Sequence, residues 1–201
     1  MASFAPNLAE ATHQIDKLTA LVASTTHLEP AHRKLIAEVV LVRLSILVEA
    51  QTRSICCKIA CGTRFLDGSN PILLHPSRSA AAALAAMKTL NRPKDRHPVW
   101  NDGRGIRDTI KHVVDPADPT HRCVTNYASY LTEIRYVRNH IAHNNHTTRS
   151  NYKSVVRTRY GAYPRGVTPG TLLLTAAFGP IPLLNRYLTT GKIYVRDLTR
   201  A

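Results

Sequence analysis

Apolar positions along the chain recur mostly at three- and four-residue spacing, the period of an α-helix. The longest such run predicts one helix from Pro30 to about Ala60. Proline suits its first turn and Gly62 its stop. Leu35, Ile36, Val39, Val40, Ile46, Leu47 and Ala50 are expected to form its broad buried face. Residues 62–77 hold two glycines and two prolines and read as a loop. Residues 77–90 (SRSAAAALAAMKTL) follow as a helix rich in alanine. Residues 91–103 are a second loop, and a shorter helix is expected over about 104–114. The Asp115-Pro116 and Asp118-Pro119 breaks precede one long helix, roughly 120–143. Its core stripe is Tyr127, Tyr130, Leu131, Ile134, Val137 and Ile141. A basic helix over 150–160 comes next. In the tail, TLLLT and KIYVRD suit short strands and PLLNRYL a short helix. No internal repeat is present.

This pattern predicts an all-α fold: an antiparallel helical bundle of four to five helices with a small mixed C-terminal extension. A chain of 201 residues, 44% of them apolar, fits one domain, with a core over 30–160 and the extension over 161–201. No stretch approaches the ~20 apolar residues that cross a bilayer. The start, MASFAPNLAEATHQ, lacks the basic flank and apolar run of a signal peptide. The expected setting is cytoplasmic, with no membrane partner. The four cysteines (Cys56, Cys57, Cys61 and Cys123) form no CxxC pair and are expected to be thiols.

Charge changes the picture. Lysine and arginine number 27 against 13 acids, a net charge of +14. Such an excess points to a polyanionic partner, nucleic acid first. The cations gather after the long helix. Arg149, Lys153 and Arg157 are spaced at four and would form one positive stripe, with Arg159 and Arg165 close behind. Arg135, one turn before Arg138, joins them as a candidate RNA-binding residue. Tyr152, Tyr160 and Tyr163 are candidates for stacking on unpaired bases. Gly103-Arg104-Gly105 is half of a phosphate loop with no strand before it, and reads better as a turn that opens a helix.

The densest chemistry lies in RYVRNHIAHNNH, Arg135 to His146. At about 100° per residue, Asn139 and His143 share a helix face, with Tyr136 and His140 beside them. Asn139 is placed to bond one nitrogen of His143 and so set its tautomer. Arg138 lies at the edge of the core stripe, its stem expected to be buried. Arg138 and His143 are roughly 140° apart around the axis. They converge poorly within one helix. Two copies of the helix end facing each other would bring both groups to one cleft, which predicts a homodimer. His140, His143 and His146 lack nearby carboxylates, so no metal site and no cofactor are expected.

Arg138-Asn139-His140-Ile141-Ala142-His143 reads R-N-x-x-x-H, which resembles the signature of the HEPN superfamily. An earlier helix with a midpoint glutamate (VRLSILVEAQTRS) strengthens the similarity, which spans roughly residues 30–160. The resemblance implies a helical, often dimeric, metal-independent ribonuclease of toxin or antiviral defence systems. Carried over, the catalytic residues would be Arg138, Asn139 and His143, with an antitoxin or sensor as a further partner. The chemistry is consistent with these roles. Histidine moves protons near neutral pH, and arginine stays charged and grips phosphate oxygens. Attack by the 2′-OH would give a 2′,3′-cyclic phosphate. Glu49 and His140 are candidate site-orienting residues, although Glu49 fits better as the i,i+4 partner of Arg53. One toxin branch of the family carries a tyrosine where Asn145 stands, so control by modifying that tyrosine is not expected here. The alternative is a non-catalytic nucleic-acid-binding or partner-binding module. A DNA-binding regulator is a third reading.

Overall fold

A computed structural model describes residues 3–90, 97–176 and 179–200. Residues 91–96 of the expected 91–103 loop therefore lie outside the described residues. The fold is all-α, as the periodicity predicts. Nine helices occur among the described residues: α1 (Ala5–Ser24), α2 (Pro30–Ala60), α3 (Ala80–Leu90), α4 (Gly103–Ile110), α5 (Pro119–Asn126), α6 (Ala128–His143), α7 (His146–Tyr160), α8 (Pro169–Leu174) and α9 (Leu183–Leu198). Among the described residues the sole β contact is a bridge between Leu73 and Val114. None of these helices is long and apolar enough to cross a membrane.

The long helix α2 organises the rest, packing against α1, α3, α6, α8 and α9. It opens on Pro30 and closes as the sequence indicates. Gly62 takes φ 78°, its N–H bonds Ile59, and the N–H of Thr63 reaches back to Lys58. The buried face only partly matches the predicted one: Val40 is buried and Ile36 and Leu47 are partly so, while Leu35, Val39, Ile46 and Ala50 are exposed. Ala37, Val40, Leu41, Leu44, Val48 and Ile55 turn inward. Leu35, Val39 and Ile46, assigned to the core from sequence, are 60%, 46% and 53% exposed. The helix is apolar on two sides, so periodicity alone did not choose between them.

The C-terminal region corrects the expected mixed extension. TLLLT lies largely in α8, where Thr168 accepts from the N–H of Thr171 and Pro169 fills the first turn. KIYVRD continues α9 from PLLNRYL, with Leu184, Leu188, Tyr194, Val195 and Leu198 buried at helical spacing. Tyr194 is fully buried, its hydroxyl 3.0 Å from Thr52 Oγ1 of α2. Residues 183–198 are therefore part of the core, as is α1, for which the sequence reading had no element. The expected helix over 120–143 is also two. It bends at Tyr127, whose hydroxyl donates to Asp197 of α9 at 2.6 Å and whose ring packs 5.3 Å from that of Tyr194. No glycine or proline marks that break; the tertiary contact sets it.

Two carboxylates join capping to packing. Buried Asp118 caps α5 through the Thr120 N–H, and its other oxygen accepts from the Ile72 N–H at 2.7 Å. Asp102 caps α4 through the Gly105 N–H, and its second oxygen accepts from Arg135 of α6 at 2.8 Å. Gly103-Arg104-Gly105 is thus the opening turn of α4. Here α4 and α6 touch so closely that a Cβ on Gly103 would lie 2.7 Å from the Cβ of Ala128 and 2.9 Å from its Cα. Gly103→Ala should cost about 1–3 kcal/mol of stability, read as a lower urea midpoint, because backbone must move to admit the methyl.

Candidate functional site

Helix α6 ends at a corner built from Asn144-Asn145. Asn144 is left-handed (φ 38°), a conformation that asparagine tolerates better than most residues, and its N–H closes on His140 O. Asn145 then caps α7 in a reciprocal box with Thr148. His143 is thereby the exposed last residue of α6, and His146 the exposed first residue of α7.

Behind this corner, Arg138 and Asn139 are half-buried. Arg138 Nη1 donates to Asn139 Oδ1 at 2.9 Å. Arg138 Nε is buried and unbonded among the described residues, in keeping with a stem at the edge of the core. The bond expected from Asn139 to His143 is absent among the described residues. Asn139 gives its oxygen to the arginine instead. His140 is set apart from His143. Its ring stacks on Tyr152 of α7, centroids 4.5 Å apart and planes 18° apart, and its Nδ1 is buried without a partner. Burial, with Arg149 second, holds its pKa below the ordinary imidazole value. His140 is a packing residue between two helices. Glu49 is half-buried and forms no salt bridge, with Arg53 or with Arg138, among the described residues. No three His, Cys, Asp or Glu side chains among the described residues gather to hold a metal.

The predicted cations divide into two groups. Arg149, Lys153 and Arg157 line one concavity of ≈ 240 Å³ with His146 and Ser150, all from one side of α7. Lys153 Nζ lies 5.4 Å from the centroid of the Tyr163 ring. Arg135 and Arg159 are not part of it. Arg135 is held by Asp102, its guanidinium 5.2 Å from the Tyr136 ring centroid. Arg159 is paired with Glu133, whose carboxylate also accepts from the Tyr187 hydroxyl at 3.0 Å. Tyr152, expected as a stacking platform, is buried and donates to Val167 O. Arg165 is exposed. Burial raises all four cysteine thiols above their ordinary range. Burial pushes Cys57 up to about 11 and Cys123 up to about 12, so both stay protonated at neutral pH.

One feature had been missed: a groove of ≈ 350 Å³ between α6 and α7, lined by Thr132, Glu133 and Tyr136 from one side and Ser154, Val155 and Thr158 from the other. Its sequence signal is the row Ser129, Thr132, Tyr136, Asn139 and His143, spaced three, four, three, four, which places groove and histidine on one helix face. No family model matches this chain, and no curated protein or solved structure matches it either.

Two outcomes follow from these placements. The proton that His140 resists in the folded chain is taken up freely when unfolded. Stability should therefore fall as pH drops below about 6.5. His140→Phe should flatten that slope between pH 7 and pH 5 in urea titrations. Arg159→Ala should lose roughly 1–3 kcal/mol by leaving Glu133 without its charged partner, whereas Arg157→Ala should stay within about 0.5 kcal/mol of the parent.

Proposed function

We propose that the chain is a metal-independent endoribonuclease of HEPN type, acting as a symmetric pair of copies. The observation that carries this reading is the end of α6. There an exposed His143 follows a bonded Arg138–Asn139 pair, and the basic concavity of α7 begins at His146, immediately past the corner. In the shared cleft His143 of one copy takes the proton of the 2′-OH as its oxygen attacks phosphorus. The P–O5′ bond breaks, and a second histidine, from the other copy, protonates the leaving oxygen. Arg138 offers its guanidinium to the phosphorane oxygens. The products are a 2′,3′-cyclic phosphate and a 5′-hydroxyl. Arg149, Lys153 and Arg157 hold the phosphate backbone of the strand. Asn139 positions Arg138, where the sequence alone had paired it with His143. A toxin or antiviral defence setting, inside the cytoplasm and under an antitoxin or sensor, follows from the same resemblance.

Pairing is needed because a single α6 separates the two groups around its axis. A surface for it is available on α2, which packs beside α6. Leu35, Val39, Val42 and Ile46 run along the outside of α2 at a spacing of four, three and four, the seam expected of helix-to-helix association. Three of them are large, apolar and exposed. A net charge of +14 on each copy opposes association, so salt or bound RNA should strengthen the pair.

A non-catalytic nucleic-acid-binding or partner-binding module is the second reading. What favours it is that, within one chain, Arg138 is bonded to Asn139 and neither is bonded to His143. One assay separates the two. Purified protein is incubated with unstructured RNA in excess EDTA, and ends are analysed for cyclic phosphate. The parent should cleave, Arg138→Ala and His143→Ala should each lose at least a hundredfold, and Ile46→Glu should sediment as a monomer and lose cleavage with them. RNA bound but left intact by every version would leave the module alone.

A further inference from the structure

The groove between α6 and α7 has no task in the scheme above. It shares no lining residue with the basic concavity of α7. Its walls are unlike that concavity too: hydroxyls from Ser129, Thr132, Ser154 and Thr158, the ring of Tyr136, and one carboxylate, Glu133. A surface with hydroxyls, an aromatic ring and no unpaired cation is poor at holding phosphate. It suits a flat, polar-edged ring.

Glu133 is the most specific element. Its Oε2 accepts from Arg159 of α7 and from the Tyr187 hydroxyl of α9. Two donors on one oxygen fix the plane of the carboxylate. They leave Oε1 with no bond among the described residues, and Glu133, 16% exposed, lines both this groove and the neighbouring pocket that holds Arg159 and Tyr187. An acceptor so anchored selects for N–H donors. Among nucleobases, guanine presents two side by side, N1–H and the 2-amino group. Tyr136 offers a ring for that base to stack on, Thr132 offers a hydroxyl from one wall, and Ser154, whose hydroxyl donates to Asn151 O, offers its oxygen as an acceptor from the other.

Position ties the groove to His143. Tyr136 and His143 lie on one face of α6, seven residues and hence about 10 Å apart along the axis. A strand lying over that face would place one base in the groove while the neighbouring linkage reaches the end of the helix. We infer that the α6–α7 groove is a nucleobase subsite that prefers guanine, with Glu133 as the reading residue and Tyr136 as the stacking residue. This rests on the ribonuclease or RNA-binding reading above, and adds the base specificity which that reading lacks.

The test measures binding without cleavage. Fluorescein-labelled 2′-O-methyl pentanucleotides, which cannot undergo 2′-OH attack, are titrated against the full chain by anisotropy. One set carries a single guanine in a uridine background and the other uridine alone. The parent should bind the guanine strand about tenfold tighter. Thr132→Leu and, independently, Ser154→Leu fill the groove from opposite walls and should erase that preference. The triple variant Arg149→Ala, Lys153→Ala, Arg157→Ala should weaken both strands equally and keep the tenfold ratio. Circular dichroism shows which variants are folded, and either groove variant alone suffices. A parent that binds both strands equally, or a folded groove variant that keeps the full preference, overturns the subsite and leaves the ribonuclease reading standing. A parent that binds neither strand overturns both.

Discussion

A single carboxylate, Glu133, fixes the geometry on which the candidate site depends. It sits on α6, pairs with Arg159 of α7 and accepts from Tyr187 of α9. A charge that is largely removed from water needs such partners. Here the carboxylate and its two partners come from three different helices, so satisfying the charge and setting the mutual placement of the helices are the same act. The His140–Tyr152 stack repeats the link one corner further along. Between them, these contacts hold α6 and α7 so that the last turn of one and the first turn of the other meet at Asn144-Asn145. The exposure of His143 is a consequence of that corner.

The same links sort the cations. An excess of positive charge over a short stretch reads, in sequence, as a single nucleic-acid-binding face. In three dimensions Arg135 and Arg159 are spent on Asp102 and Glu133, both of them tying helices together. Arg149, Lys153 and Arg157 line the basic concavity, on a different part of the surface from the α6–α7 groove. The distinction is physical. A cation with a carboxylate within hydrogen-bond reach has its field largely cancelled, while one facing solvent contributes it to any approaching polyanion.

How much of this was legible in the sequence depends on how local the determining force is. Helix starts with a capping side chain or an early proline, at Pro30 and Pro119, are local and were read correctly. So was the stop at Gly62, where a left-handed residue is needed. The bend at Tyr127 was invisible because it answers to Asp197, seventy residues away. KIYVRD alternates well enough to pass for a strand, and only its continuity with PLLNRYL inside the core makes it helix. At the site, the shared face of Tyr136, Asn139 and His143 followed from helical geometry, while the exposure of His143 came with the corner that ends α6. Asn139's choice of Arg138 over His143, and the absence of a salt bridge at Glu49, depend on side-chain conformations that spacing does not specify. The groove needed both helices, and only the half carried by α6 was written in one segment.

The doubly apolar character of α2 bears on how the chain is made as well as on what it does. A helix of thirty-one residues with greasy surface on opposite sides emerges early in synthesis, before α6, α8 and α9 exist to cover even its inner side. At that stage nascent chains on neighbouring ribosomes present one another with uncovered apolar surface, and collapse into aggregates competes with folding. The strong positive charge, usually credited to a partner, is then also the chain's own protection, since it keeps unfinished copies apart until the inner face has been claimed.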